Sequence, residues 1–306
     1  MDKKAVDHVP VGFWHHFGGE EAAGEACVKA HLDYCRSVDT DLIKIMSDGY
    51  FEYPLSVKIE QAADWYKLKP LGKDHPYLKE QYWRVKRIKE ELGDDAAIFY
   101  NVNAPFSSIR NGAGDELIMR HLREDKDAIL FALDVIAADN AAICEMVIAD
   151  AKADGIYYPV QGAELFRFSP DEYRELISPS DLFVLNRANE LSDYNILHMC
   201  GWAGDRNRLE VWRDYPVKTV NWAIYVEDVS LEQGREYFGK KSVLGGFKNT
   251  RPAPLFYGTR DEVRTFTHEL IKSFGKIGLL IGGDCTIPAE VPPERIKWVV
   301  DAAREI

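Results

Sequence analysis

Eight short apolar runs, each followed by a longer helical pattern, restrict what this chain can fold into more than any other feature. The runs cover residues 9–16, 41–46, 96–103, 155–160, 195–201, 217–223, 242–247 and 278–283. They are rich in β-branched or aromatic residues, and most end at or beside a glycine, a proline or a polar residue, as strands buried on both faces do. This alternation predicts parallel strands joined by helices.

The segments between these runs carry the signals of helices. We predict helices over residues 20–38, 82–92, 116–153 (as two helices with a break near 123–126), 169–191, 230–238 and 259–274, and from residue 292 to the C-terminus. Ser169 and Pro170, for example, are a capping residue and a proline at the first helical position. Eight such units in 306 residues, without a break in composition, predict a single α/β domain, a (β/α)₈ TIM barrel over residues 1–306, rather than two doubly wound halves.

The segment 49–82, after the second strand, is the one long irregular excursion. It contains Pro54, Pro70 and Pro76 together with several aromatic residues. A long insertion after a barrel strand lies over the mouth of the barrel, so we predict a lid or a partner-facing surface there. The basic residues that follow, Arg84, Lys86, Arg87 and Lys89, are predicted to form a solvated helix face.

Charge and cysteine content narrow the function classes. The net charge is −12 and no Lys/Arg-rich run is present, which disfavours nucleic-acid binding but leaves room for an anionic small molecule in a local basic pocket. No run approaches eighteen apolar residues, so no membrane span is expected. The sparse, odd set of five cysteines and the lack of a signal-peptide pattern at the first residues favour the cytoplasm, with reduced thiols.

The strand 195–201 and the tip of the last strand carry metal-binding side chains. His198 and Cys200 are two residues apart and therefore point to the same face of a strand. With Cys285 they form a three-ligand set that leaves one zinc position open, as catalytic zinc requires. The alternative is that the cysteines are small buried hydrophobic residues and that the histidine is only hydrogen-bonded.

Other polar residues also fall at the strand tips, where barrel enzymes place their catalytic groups. Only one of the neighbours His15 and His16 can point inward. Asp48 is either a site carboxylate or the cap of the following segment. The candidate catalytic residues are His16, Asp48 and Asp284, and the candidate cofactor-binding residues are Asn103, Gln161 and Asn221.

Two motifs resemble those of a known family. His198-x-Cys200-Gly201 and the run Gly282-Gly283-Asp284-Cys285-Thr286-Ile287-Pro288 are similar to motifs of the uroporphyrinogen decarboxylase fold family, in particular of its corrinoid-linked methyltransferases, which make methyl-coenzyme M. The segments 153–157 and 47–48 are similar as well. The resemblance implies a single barrel with zinc bound by His198, Cys200 and Cys285. It also implies a corrinoid, either methylcobalamin or a corrinoid protein as partner, and a small methyl donor or acceptor.

The segment after the first strand departs from that family. Uroporphyrinogen decarboxylases carry an arginine there that binds the porphyrinogen carboxylates, whereas the run 14–20 has no arginine. Asp48 matches their essential aspartate. We therefore expect a zinc-dependent methyltransferase that does not decarboxylate uroporphyrinogen. The alternatives are a zinc-free lyase that uses Asp48 with Tyr157 or Tyr158, and a non-catalytic partner of a corrinoid protein. A homodimer is compatible with the sequence.

Overall fold

Eight parallel strands form one sheet that closes into a barrel. The computed structural model describes residues 1–201 and 204–306. The strands are β1 (Val11–Gly12), β2 (Leu42–Ile45), β3 (Ala97–Asn101), β4 (Gly155–Val160), β5 (Ile196–Met199), β6 (Thr219–Trp222), β7 (Ser242–Phe247) and β8 (Leu279–Gly283). Each lies inside one of the predicted runs, and their order in the sheet is β1-β8-β7-β6-β5-β4-β3-β2. The predicted (β/α)₈ barrel is confirmed.

The two end strands of this sheet, β1 and β2, are joined through Asp41. The backbone N–H of Asp41 donates to the carbonyl of Val11 at 3.0 Å. In return, the Asp41 carboxylate accepts from the backbone N–H of Val11 at 2.9 Å. A side chain thus supplies the second hydrogen bond at the place where the two-residue strand β1 is too short to form a ladder.

Twelve α-helices are described around the barrel. They are α1 (Gly24–Val38), α2 (Pro76–Leu92), α3 (Pro105–Ala113), α4 (Asp115–Glu124), α5 (Lys126–Cys144), α6 (Pro170–Leu176), α7 (Ser178–Leu191), α8 (Ile224–Glu227), α9 (Leu231–Tyr237), α10 (Pro254–Tyr257), α11 (Arg260–Phe274) and α12 (Pro293–Arg304). A π-helical turn, Glu145–Asp150, continues α5. Within the described ranges, no helix has both the length and the apolar content needed to cross a bilayer.

The predicted break between α4 and α5 is confirmed, and three other predictions about helices need correction. The helix predicted over 169–191 is two helices, because Pro179 has no N–H and its ring would clash with the carbonyl four residues earlier. Helix α2 begins at Pro76 instead of residue 82. Helix α3 was not predicted, since Ser107, Ser108 and Gly112 obscure its short apolar pattern.

Arg84 is not part of a solvated helix face, as its sequence context suggested. Its side chain is buried and donates hydrogen bonds to the backbone carbonyls of Met46 at 2.6 Å, Ala22 at 2.7 Å and Asp48 at 2.9 Å. These bonds satisfy the guanidinium without a carboxylate. They also fix the backbone that follows β2, where Asp48 lies.

The insertion 49–82 is held to the outer helices by buried hydrogen bonds. Asp139 of α5 accepts from the Tyr53 hydroxyl at 2.6 Å and from the backbone N–H groups of Leu71 at 2.7 Å and Gly72 at 3.0 Å. The fully buried Trp65 donates to a ring nitrogen of His121 on α4 at 3.0 Å. The insertion is therefore packed as part of the barrel.

A small apolar cluster fills the interior of the barrel below its carboxyl end. Its members are Trp14, Phe17, Leu42, Met46, Phe99, Tyr157, Ile196, Leu244 and Leu280. Because side chains alternate along a strand, Lys44 points to the same side as its neighbours Leu42 and Met46. A lysine side chain therefore enters the barrel interior.

Candidate active site

Three potential metal ligands lie together where β5 and β8 end. His198 belongs to β5, Cys200 directly follows that strand, and Cys285 follows β8 by two positions. The backbone N–H of Cys200 donates to the carbonyl of Val160 at 3.1 Å, so the strand pairing continues to Cys200. The potential ligand atoms of the three residues all lie within 4.8 Å of one another. Ligands of one tetrahedral zinc ion lie about 3.5–3.8 Å apart, so these atoms are close enough to share one ion.

The imidazole of His198 has the surroundings of a metal ligand. The ring is buried and stacks on Tyr157 with a centroid separation of 5.2 Å. Outside this cluster, neither of its ring nitrogens has a hydrogen-bond partner in the described part of the chain. Buried polar atoms without a partner are rare, and a ligand position would account for one of these two nitrogens. The residues therefore fit a metal.

The two thiols of this group differ from the cysteines in the helices. Cys200 and Cys285 are partly exposed, and the pKa of Cys285 lies well below its usual range because Cys200 donates a hydrogen bond to its sulfur; His198 acts in the same direction. Burial instead raises the pKa of Cys27 to about 11 and that of Cys35 to about 12. Since the thiolate is the form that binds metals, Cys285 is the chemically distinct cysteine.

A close backbone approach positions Cys285. A Cβ atom added at Gly283 would lie 2.7 Å from the carbonyl oxygen of Cys285, so this tight turn requires glycine. Between them, Asp284 is buried, and its carboxylate accepts a long hydrogen bond of 3.4 Å from the backbone N–H of Tyr225. Burial raises the pKa of Asp284 to about 8. Asp284 thus packs behind the turn.

His16 and Asp48 form a hydrogen-bonded pair. The Nδ1 atom of His16 lies 2.7 Å from Asp48 Oδ1, and the backbone N–H of Phe17 donates to Asp48 Oδ2 at 2.8 Å. Because a carboxylate only accepts, Nδ1 of His16 donates in this pair, and in the neutral ring Nε2 is then the acceptor nitrogen. His16 is half exposed, whereas Asp48 is buried. This pairing of an oriented imidazole with a buried carboxylate is typical of general acid–base groups.

A cavity of about 710 Å³ opens at this end of the barrel. Six of the nine predicted site residues line it: His16, Asn103, Gln161, His198, Cys200 and Cys285. The other three, Asp48, Asn221 and Asp284, lie behind the lining. Phe51 and Glu52 bring the insertion 49–82 to the wall of the same cavity.

The three predicted cofactor-binding residues differ in their free hydrogen-bonding groups. Gln161 lines the cavity, and among the described residues its buried Oε1 has no partner. The Oδ1 atom of Asn103 accepts from Asn101 at 3.1 Å. Asn221 lies deeper, where it accepts from the Tyr157 hydroxyl at 2.6 Å and donates to two backbone carbonyls. Of the three residues, Gln161 therefore has the most free hydrogen-bonding capacity to offer a ligand. Asn221 instead holds the ring of Tyr157, on which His198 stacks.

Lys44 is a site residue that the sequence analysis missed. Its ammonium lines the cavity and lies 3.9 Å from the ring centroid of Tyr157 and 5.1 Å from that of Trp14. Burial lowers the pKa of Lys44 to about 8, and the nearby Cys285 and Cys200 oppose this shift. The signal in the sequence was its position two residues from both Leu42 and Met46. Because side chains alternate along a strand, the side chain of Lys44 points into the barrel with theirs.

The fold and the site together define a (β/α)₈-barrel protein with a His-Cys-Cys cluster at the mouth of the barrel. The model of the uroporphyrinogen decarboxylase (URO-D) family matches residues 51–306, and the chain belongs to this family. A search of curated protein sequences gives no significant match.

Solved structures with the same fold share little sequence with this chain. A methyltransferase from Methanosarcina mazei has a TM-score of 0.75 and 18% identity, over 99% of this chain and 95% of that one. A B12-independent methionine synthase from a Shewanella species, in complex with selenomethionine, has a TM-score of 0.63 and 14% identity over 97% of each chain. A β-mannanase from the blue mussel Mytilus edulis has a TM-score of 0.54 and 8% identity, over 95% and 92%. At such identities, the similarity shows the fold alone.

Proposed function

We propose that this protein is a zinc-dependent methyltransferase that moves a methyl group between a corrinoid and a small thiol or similar acceptor. The observation that carries the proposal is the cluster of His198, Cys200 and Cys285 at the cavity, with a buried imidazole that lacks other partners. Membership of the URO-D family and the structural similarity to a methyltransferase support it. We further propose that the protein is cytoplasmic and that the corrinoid is methylcobalamin or is carried by a partner protein.

In this proposal, His198, Cys200 and Cys285 hold the zinc ion. Bound zinc supplies Lewis acidity that lowers the pKa of a thiol or alcohol, so that the acceptor is a nucleophile at neutral pH. The chain itself supplies a base, because Nε2 of His16 is free to take a proton while Asp48 holds Nδ1.

The remaining predicted residues have supporting roles in this proposal. Gln161 and Asn103 line the cavity and hydrogen-bond the substrate or the corrinoid. Asn221 and Asp284 are positioning residues, since Asn221 accepts from Tyr157 beneath His198 and Asp284 adjoins Cys285. The insertion 49–82 contributes Phe51 and Glu52 to the mouth of the cavity, where a partner that carries a corrinoid would approach.

Zinc content and methyl transfer test the proposal together. Protein purified without chelator is expected to contain about one zinc ion per chain by elemental analysis. Demethylation of methylcobalamin, followed by absorbance, is expected with at least one member of a panel of thiols. The panel also includes folates as candidate methyl donors or acceptors. Absence of metal, or of any transfer across the panel, would refute the proposal.

Proton release provides a second prediction about the same chemistry. A free thiol has a pKa of about 8.5 and is mostly protonated at neutral pH, whereas a metal binds the thiolate. Binding of the active thiol should therefore release nearly one proton per site. Calorimetry in two buffers of different ionisation enthalpy measures this number, which should fall to zero in Cys200→Ala. Tight thiol binding without proton release would contradict activation of the thiol by zinc.

A decarboxylase-type lyase is the rival function, and family membership is the observation that favours it. The tyrosines suggested for such a lyase are already bonded: the hydroxyl of Tyr157 donates to Asn221, and that of Tyr158 donates to the carbonyl of Asp181 at 3.0 Å. Both side chains are completely buried. Neither of these two tyrosines therefore offers a free phenol for a proton-transfer step.

Uroporphyrinogen is expected not to be a substrate. In the described part of the chain, the lining of the cavity contains one lysine, Lys44, and no arginine. When a molecule with eight carboxylates enters a cavity, several cationic side chains are needed to compensate for the desolvation of those carboxylates. An assay for coproporphyrinogen should show no product above background at high enzyme concentration. Detectable conversion would favour the lyase.

A further inference from the structure

Among the described residues, the ammonium of Lys44 has no hydrogen-bond acceptor. In residues 1–201 and 204–306, no hydrogen bond or ion pair of Lys44 is found; its close neighbours are the rings of Trp14 and Tyr157. An ammonium group carries three donors and no acceptor. Burial of a cation without hydrogen-bond partners is unfavourable, and a cation–π contact offsets only part of that cost. The three donors are thus available to whatever occupies the cavity.

The anionic groups around Lys44 are engaged elsewhere or distant. Asp48 is bonded by His16 and by the backbone N–H of Phe17. Glu52, on the insertion, is exposed at the mouth of the cavity. The thiolates of Cys200 and Cys285 would be neutralised by a divalent metal, because two thiolates and a neutral imidazole leave such a site without net charge. Once the metal is bound, the charge of Lys44 remains without a direct partner.

We infer that Lys44 determines substrate specificity by binding an anionic group, such as a carboxylate, on the small molecule that occupies the cavity. This inference rests on the proposed function for the identity of the reaction, but its geometry does not depend on that reaction. Tyr157 contacts both Lys44 and His198, so the anion site and the metal site are adjacent. A substrate with its reacting atom at the metal therefore places a nearby carboxylate against Lys44, where charge-assisted hydrogen bonds replace those of water.

Matched ligands and variants test this inference by binding. The ligands are 3-mercaptopropionate, the uncharged 3-mercaptopropanol, and propionate as a competitor without a thiol. The variants are Lys44→Met, which keeps the length but removes the charge, and Lys44→Arg, which keeps the charge. Lys29→Met is the matched control, because Lys29 is an exposed residue of α1 that pairs with Asp33. Affinities are measured by calorimetry on protein as purified, with metal content and thermal unfolding determined on the same samples.

Wild type and Lys29→Met are expected to bind the mercaptopropionate at least about tenfold more tightly than the mercaptopropanol. Lys44→Met should lose this preference while it binds the neutral thiol as before, and Lys44→Arg should retain part of it. Propionate should compete with mercaptopropionate in wild type and in Lys29→Met, but not in Lys44→Met. Equal affinity for both thiols in wild type, or an unchanged preference in folded Lys44→Met, would overturn the inference. Failure of the proposed function would appear separately, as missing zinc or missing methyl transfer.

Discussion

Cys285→Ser is expected to lose most of its zinc and, with it, methyl transfer. A serine hydroxyl is a far poorer ligand than a thiolate, because it stays protonated at neutral pH, and the change leaves only His198 and Cys200. Loss of an outer hydrogen-bonding partner alone costs 10–100-fold in metal affinity, so loss of a ligand should cost more than about 100-fold. Elemental analysis after dialysis and the methylcobalamin assay measure the two effects.

Cys144→Ser is the control for that experiment. Cys144 is buried at the end of α5 and does not line the cavity. Its substitution is expected to lower stability, since a hydroxyl replaces a thiol in an apolar environment, but to leave the metal in place. Equal loss of zinc from both variants would show that the metal is not held by Cys285. Full retention in Cys285→Ser would show the same.

Asp48→Asn is expected to lower the rate of methyl transfer about 10²–10³-fold without changing zinc content. In the wild type, one carboxylate oxygen accepts from His16 and the other from the backbone N–H of Phe17. The amide that replaces it must offer its single oxygen to Phe17, so its NH₂ group faces His16. His16 must then accept at Nδ1 and carry its proton on Nε2, which removes the base from the cavity.

His16→Gln should reduce the rate to a similar extent, and His15→Gln is its matched control. His15 is the neighbouring histidine and does not line the cavity. Among the described residues, its side chain hydrogen-bonds to the backbone carbonyl of His16 alone. Its substitution should change the rate less than about threefold. Single-turnover rates with methylcobalamin separate these variants. An Asp48→Asn enzyme with the wild-type rate would exclude the pair from proton transfer.

The barrel could be predicted because its strands are buried on both faces. Such strands appear in the sequence as short apolar runs that can be recognised individually. Because the runs alternate with helical patterns, few topologies are compatible with the chain. The helix boundaries were less predictable where local signals conflict. Pro179 breaks a helix that the surrounding periodicity would continue, and Pro105 begins one whose apolar residues are too few to show a pattern.

Within the candidate site, residues adjacent in sequence were predictable and contacts across the barrel were not. His198 and Cys200 share a strand, so their common face follows from the alternation of side chains. The contact between His16 and Asp48 joins residues 32 positions apart and depends on how β1 and β2 meet. Lys44 and Arg84 were missed because a charged residue is expected at the surface. The tertiary structure buries both side chains: Lys44 lies against the cavity, and Arg84 donates to three backbone carbonyls.

The position of β8 has a consequence for how the protein is made. This strand hydrogen-bonds to β1 on one side and to β7 on the other, and Cys285 lies two positions after it. During translation, His198 and Cys200 leave the ribosome long before β8 exists, so the emerging chain offers a metal two ligands at most from this group. The third ligand arrives with the strand that joins the last part of the sheet to the first. Completion of the barrel and completion of the His-Cys-Cys cluster are therefore one event in biosynthesis, and a metal bound by that cluster would favour the closed barrel over any unfinished form.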